Sequence, residues 1–82
     1  NKGDELVKAV KSLIESSEYA GKTNVKYNFD KREIVITDKE TGMILDILPK
    51  RDIEDRKLFA DDRGIIRNIK LAYNNPVKWN NL

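Results

Sequence analysis

The spacing of the apolar residues changes twice along this chain, and that change limits the folds open to it. Near the N-terminus, aliphatic residues recur at i, i+1, i+4, i+7 and i+8, which is the interval of an amphipathic helix. They are Leu6, Val7, Val10, Leu13 and Ile14. Asp4 is placed to cap this segment, and Gly21 is placed to stop it. We therefore expect a helix over about Asp4 to Tyr19, lying on a core.

Between residues 25 and 48 the apolar interval shortens to two, which is the interval of a strand. Val25, Tyr27 and Phe29 alternate with polar residues in the first such segment. We expect Tyr27 and Phe29 to be core residues; the alternative is an exposed platform on which nucleic-acid bases stack.

Two further segments continue the strand pattern. Glu33–Thr37 is rich in β-branched residues, and Met43–Leu48 is apolar on both faces apart from Asp46. Short polar turns join the three segments, so they predict an antiparallel meander. If Asp46 lies on a buried face, it needs a partner from a helix, such as a Lys or Arg.

The helical interval returns beyond Pro49, most clearly between Ile65 and Tyr73. One helix over residues 52–74 would place Gly64 in its interior, at a cost of about 1 kcal/mol. We favour a break near Asp61 and Asp62, with one of them capping a second helix. The prediction is a single α+β domain over residues 1–75: an N-terminal amphipathic helix, a three-stranded antiparallel meander, and a C-terminal helix that is bent or split near residues 61–64. Residues 76–82 are expected to form a flexible tail.

The residue inventory argues against catalysis. The 82 residues include no His and no Cys, which removes the usual general base and two common metal ligands. The four glycines are scattered singly, so no phosphate-binding loop is present. We expect a protein that is not an enzyme, with no metal, no cofactor and no evident small-molecule substrate.

Two further expectations concern location and processing. No run of 18 apolar residues occurs, so neither a membrane span nor a signal peptide is predicted, and we expect a cytoplasmic location. The sequence begins at Asn1 rather than at methionine, so we expect it to be a trimmed or processed piece.

The leading functional hypothesis is a non-catalytic module that binds another protein or a second copy of itself. The C-terminal apolar segment is the best candidate for docking, in cis or in trans. Its candidate contact residues are Ile65, Ile66, Ile69 and Tyr73.

The alternative hypothesis is nucleic-acid binding. A net charge of +2 is too small to indicate a polyanion partner by itself. On one continuous helix, however, basic residues would form a stripe suited to phosphate contacts, extended by two more at its start. These residues are Lys50, Arg51, Arg56, Arg63, Arg67 and Lys70. The predicted order of elements is also that of double-stranded-RNA-binding domains, an analogy of architecture alone.

One family resemblance follows from these segments. This chain resembles the FlaG-type flagellar proteins in four segments. They are the first strand, Ile34–Ile36, the turn "DKETG" at Asp38–Gly42 and "MILDILP" at Met43–Pro49. In this sequence Asp46 stands where the family has Arg, and Lys50 replaces the second Pro of the family pattern. The resemblance implies a non-enzymatic accessory role in assembly of the flagellar filament.

Overall fold

In the part of the chain that the structure describes, five elements follow one another in the order helix, three strands, helix. The computed structural model describes residues 2–49 and 62–75. The elements, in chain order, are α1 (Lys2–Glu15), β1 (Thr23–Asn28), β2 (Glu33–Asp38), β3 (Ile44–Pro49) and α2 (Asp62–Asn74). The α+β class predicted from the sequence is therefore confirmed.

Helix α1 ends four residues earlier than its apolar spacing predicts. The cause is local, because two serines offer the backbone other hydrogen bonds at this point. The Ser17 hydroxyl donates to the Ile14 carbonyl at 2.6 Å and accepts from the Tyr19 N–H at 3.1 Å. Tight turns then carry the chain to Gly21, whose φ of 75° is the left-handed conformation expected there. Asp4 lies inside the helix, so its predicted capping position was wrong.

The strands form a meander in the order β1-β2-β3, antiparallel throughout. At the first turn the Asn28 side-chain oxygen accepts from the N–H groups of Asp30 and Lys31, at 3.0 and 3.2 Å. At the second turn the Gly42 N–H donates to the Asp38 carbonyl at 2.9 Å. Gly42 has a φ of 77°, which only glycine adopts without strain.

Strand β3 contains a bulge that explains its mixed pattern. Ile36 pairs with Asp46 while Thr37 pairs with Ile44, so Leu45 is an extra residue on β3. Leu45 and Asp46 are consecutive, yet both are buried. The bulge therefore brings a carboxylate onto the core face of the sheet.

Both helices pack on the same face of the sheet. Alternation places Val25, Ile34, Ile36 and Leu48 on one face, and these residues share a single buried cluster with side chains from both helices. The helical members of that cluster are Val10 and Ile14 of α1 and Ile65, Ile69 and Ala72 of α2. Within the described residues the domain is thus a two-layer arrangement, with the second helix docked in cis beside the first.

Two predictions about the C-terminal part fall partly outside the described residues. Helix α2 is described from Asp62 onward, and the break predicted near Asp61 and Asp62 depends on residues outside the described range. Whether a first helix precedes it concerns residues 50–61, which lie outside that range, as does the tail predicted for residues 76–82.

Candidate binding surfaces

The first candidate site is a cleft between the two helix ends and the β2–β3 turn, with a volume of about 550 Å³. Two tyrosines stack at this cleft. Tyr19 follows α1 and Tyr73 lies in the last turn of α2, and their ring centroids are 5.7 Å apart with an angle of 17° between planes. Offset stacking of this kind adds to the burial of each ring. The pair therefore joins two segments that are far apart in the sequence.

Asp38 at the end of β2 completes this cleft. One carboxylate oxygen accepts from the Tyr73 hydroxyl at 2.5 Å. The other accepts from the N–H and the hydroxyl of Thr41, at 2.8 and 2.9 Å, and from the Glu40 N–H at 3.1 Å. The hydrogen bond from Tyr73, with those from Thr41, lowers the pKa of Asp38 below its ordinary value. Burial, followed by the Asp38 carboxylate, raises the pKa of Tyr73.

These bonds assign the cleft a structural role. Both oxygens of Asp38 are engaged in hydrogen bonds that close the turn and hold the end of α2. The protonation states that the bonds favour, an ionised Asp38 and a neutral Tyr73, are the ordinary ones at neutral pH. Burial and the neighbouring Glu18 also raise the pKa of Tyr19, again keeping its hydroxyl neutral. The arrangement stabilises the junction of β2 with α2.

A second polar contact lies in the core. Asp46, only 3% exposed, accepts a hydrogen bond from the Asn68 side-chain amide of α2 at 3.3 Å. Its other oxygen accepts from the Ile47 N–H at 2.9 Å. Buried Asp46 therefore has a partner on a helix, as predicted, and the side-chain amide of Asn68 is one such partner. This contact ties α2 to β3.

The second candidate site is the outer end of the β1–β2 hairpin. Phe29 is 64% exposed, and its ring meets that of Tyr27 edge to face at a centroid distance of 4.8 Å. Here the sequence-based prediction of Phe29 as a core residue was wrong. Strand β1 ends at Asn28, so Phe29 lies in the turn. The alternation that directs the Val25 side chain inward therefore does not extend to Phe29. Tyr27 is half-buried and packs against the core, as predicted.

A shallow depression of about 460 Å³ lies beside these rings. Its lining, which we call the hairpin surface, combines aromatic and aliphatic groups with polar groups of both charges. The residues are Lys26, Tyr27, Asn28, Phe29, Asp30 and Val35. The sequence does hold a signal for an exposed Phe29, because the polar run Asp30-Lys31-Arg32 follows it directly.

The predicted protein-contact residues divide into two pairs. Ile65 and Ile69 are fully buried in the core of their own chain, so their side chains are used in cis. Ile66 and Tyr73 are half-buried and pack against the same core. Among the side chains of α2 that the structure describes, Leu71 is the one large apolar side chain that is exposed, at 41%.

The predicted nucleic-acid residues are only partly described. Arg67 and Lys70 are exposed on α2. Arg63 lies in α2, but its side chain is outside the described part, and so are Lys50, Arg51 and Arg56 altogether. The basic stripe therefore stays a prediction.

Neither a metal cluster nor a membrane helix is found in residues 2–49 and 62–75. No group of three or more His, Cys, Asp or Glu side chains there is arranged to hold a metal ion. None of the helices described in that range has the length and apolar character needed to cross a membrane.

No protein-family model, no curated protein and no solved structure matched this chain.

Proposed function

We propose that this domain is a non-catalytic protein-binding module that contacts its partner through the hairpin surface. The observation that carries the proposal is the exposure of Phe29, 64% of whose surface faces solvent beside Tyr27. Aromatic residues are enriched at the centres of protein interfaces, where a few of them supply most of the binding free energy.

The exposed ring of Phe29 is suited to binding for two reasons. Covering a phenylalanine side chain contributes about 1.5–3 kcal/mol relative to leaving it in water. The edge-to-face contact with Tyr27 also restrains the ring before a partner arrives, which lowers the entropy cost of association.

The surroundings of Phe29 have the composition of an interface. Val35 adds aliphatic surface to the lining, and Lys26 and Asp30 add charged groups of opposite sign to it. Polar rims around an apolar centre are the usual anatomy of non-obligate protein interfaces. We infer from this composition a partner that binds reversibly.

The test combines site-specific crosslinking with a measured affinity. A photo-crosslinking phenylalanine analogue at position 29, and at position 71 as a control, would be used in cells to identify the partner by mass spectrometry. The purified partner is then titrated calorimetrically. Phe29→Ala should weaken binding by more than about tenfold, whereas Leu71→Ala should change it less than about twofold.

Both substitutions remove large exposed side chains, so neither should unfold the domain. If Phe29→Ala binds the purified partner as tightly as the wild type, the hairpin surface is not the interface. If position 71 crosslinks and position 29 does not, the contact belongs to α2 instead.

The expectations of a cytoplasmic location and of a FlaG-like accessory role stay predictions. Nucleic-acid binding is tested by titration with duplex and single-stranded nucleic acid at low and moderate salt. In the described residues its support is the exposure of Arg67 and Lys70. An Arg67→Glu, Lys70→Glu double variant should then lose binding and keep its fold.

A further inference from the structure

The sheet has two edges, and they differ in how they are protected. The β3 edge carries the bulge at Leu45 and ends in Pro49, two features that discourage pairing with another strand. Strand β1 has six residues with no Pro, no Gly and no bulge. Among the described residues, no strand pairs with its outer side.

Backbone geometry shows which groups of β1 point to that outer side. The Lys22 carbonyl accepts from the Lys39 N–H at 2.9 Å, so it points toward β2. Because the peptide bond is trans, the N–H of Thr23 points the opposite way. Alternation along an antiparallel strand then directs the backbone groups of Val25 and Tyr27 outward as well.

The charges on β1 and on the turn that follows it indicate what kind of strand this edge would accept. Between residues 22 and 32 there are four basic side chains and one acidic side chain, Asp30, and all five are exposed. The basic residues are Lys22, Lys26, Lys31 and Arg32. A second copy paired edge to edge would bring two such basic segments together, which is unfavourable. An acidic segment would instead be attracted.

We propose that the outer edge of β1 receives an extended acidic segment of a partner protein, which adds to the sheet as a fourth strand. This inference rests on the proposed protein-binding function and specifies the partner's chemistry. The backbone groups of Thr23, Val25 and Tyr27 provide the pairing, and the basic side chains select for acidic residues. The hairpin surface lies at the end of β1, so an apolar residue of the same segment covers Phe29.

The first measurement uses a defined peptide of about six residues, the common length of a strand. It alternates valine with glutamate, and a matched peptide alternates valine with lysine. Amide hydrogen exchange of the domain is followed by NMR with each peptide. The glutamate peptide should slow exchange at Val25 and Tyr27 by more than about tenfold. The exchange rate at Lys26, whose N–H points toward β2, should stay unchanged.

Two variants at one position separate backbone pairing from side-chain contact. Thr23→Pro removes an outward N–H at the first residue of the strand, a place where proline is tolerated. Thr23→Ala removes the side chain and keeps the N–H. We expect Thr23→Pro to weaken binding of the glutamate peptide by more than about tenfold, and Thr23→Ala by less than about twofold. Circular dichroism checks that both variants are folded. If one variant does not fold, the exchange measurement on the wild-type domain still tests the proposal.

Strand addition is refuted if the glutamate peptide gives no protection at Val25 and Tyr27, and selection for an acidic segment is refuted if the lysine peptide protects them equally. Binding of a single-stranded oligonucleotide without such protection would assign the basic residues to nucleic acid. The proposed function and this inference can fail separately. If Phe29→Ala abolishes binding of the natural partner while Thr23→Pro preserves it, the hairpin surface binds protein, but not by strand addition.

Discussion

Replacing Ile69 with alanine tests the feature on which the whole fold depends, the docking of α2 in cis. Ile69 has no exposed surface and packs in a cluster with residues of α1 and all three strands. Truncation of a fully buried isoleucine to alanine costs about 2–5 kcal/mol, because apolar contact is lost and a cavity remains. We expect a loss of about 3 kcal/mol.

That loss is large for a chain of this size. A domain of 82 residues has a total stability of about 4–12 kcal/mol, so the variant would lose a substantial fraction of it. The corresponding fall in Tm is about 12–24 °C. Urea denaturation followed by circular dichroism measures the free energy directly, with Leu71→Ala as the control. Leu71 lies on the same helix but is 41% exposed, so its truncation should cost less than about 0.5 kcal/mol.

Protein concentration distinguishes packing in cis from packing in trans. If Ile69 contacts its own sheet, the loss is the same at low and high concentration. If α2 docks on a second copy, the midpoint of the wild type shifts with concentration. A loss below about 1 kcal/mol, or one that depends on concentration, would refute the placement of Ile69 in a monomeric core.

Two other substitutions test the β2–β3 turn and its link to α2. Gly42→Ala should lower the free energy of unfolding by about 1 kcal/mol, since its φ of 77° is left-handed although the space for a methyl group is open; an unchanged urea midpoint would contradict this. Tyr73→Phe should lower the free energy of unfolding at neutral pH. The difference in this free energy between variant and wild type should shrink as pH falls below 3.8, the ordinary pKa of the Asp38 carboxyl. The reason is that the hydrogen bond from Tyr73 lowers the pKa of Asp38 in the folded state. The stability that this bond contributes is therefore fully present above the pKa of Asp38 in the unfolded chain, and it is lost as the folded carboxylate is protonated. The difference should also narrow above pH 10, where the unfolded tyrosine ionises before the folded one. Urea denaturation across this pH range measures both effects, and a difference that grows in acid would show that the bond does not stabilise ionised Asp38.

Local signals in the sequence were sufficient for most of the elements. The structure has α1, β1 and β2 in the segments where the sequence predicts them, joined by turns at Asp30–Arg32 and Asp38–Gly42, although the ends of α1 and β1 differ from the predicted ones. These patterns succeed because each depends on neighbouring residues: side-chain periodicity follows the backbone repeat, and turn residues form bonds within a few positions. The same reasoning missed the early end of α1, where the Ser17 side chain competes for backbone groups.

The candidate binding sites depend in part on information that local patterns do not contain. Phe29 continues the alternation of β1 in the sequence, and the end of the strand at Asn28, before the polar run Asp30-Lys31-Arg32, leaves its ring exposed. The edge that β1 presents is defined by strand order, and the protection of the opposite edge comes from the bulge at Leu45. Neither property can be inferred from one strand alone.

The sequence by itself determined the class of the domain, the order of the elements that the structure describes, and which side of α1, β1 and α2 is apolar. Tertiary structure decided that both helices pack on one sheet face, although Val35 and Ile47 make the other face apolar as well. It also decided that Tyr19 stacks on Tyr73 and that Asp46 meets Asn68. The physical reason is that periodicity specifies the direction of a side chain relative to its own element. Which partner it meets depends on the packing of elements that are distant in the sequence.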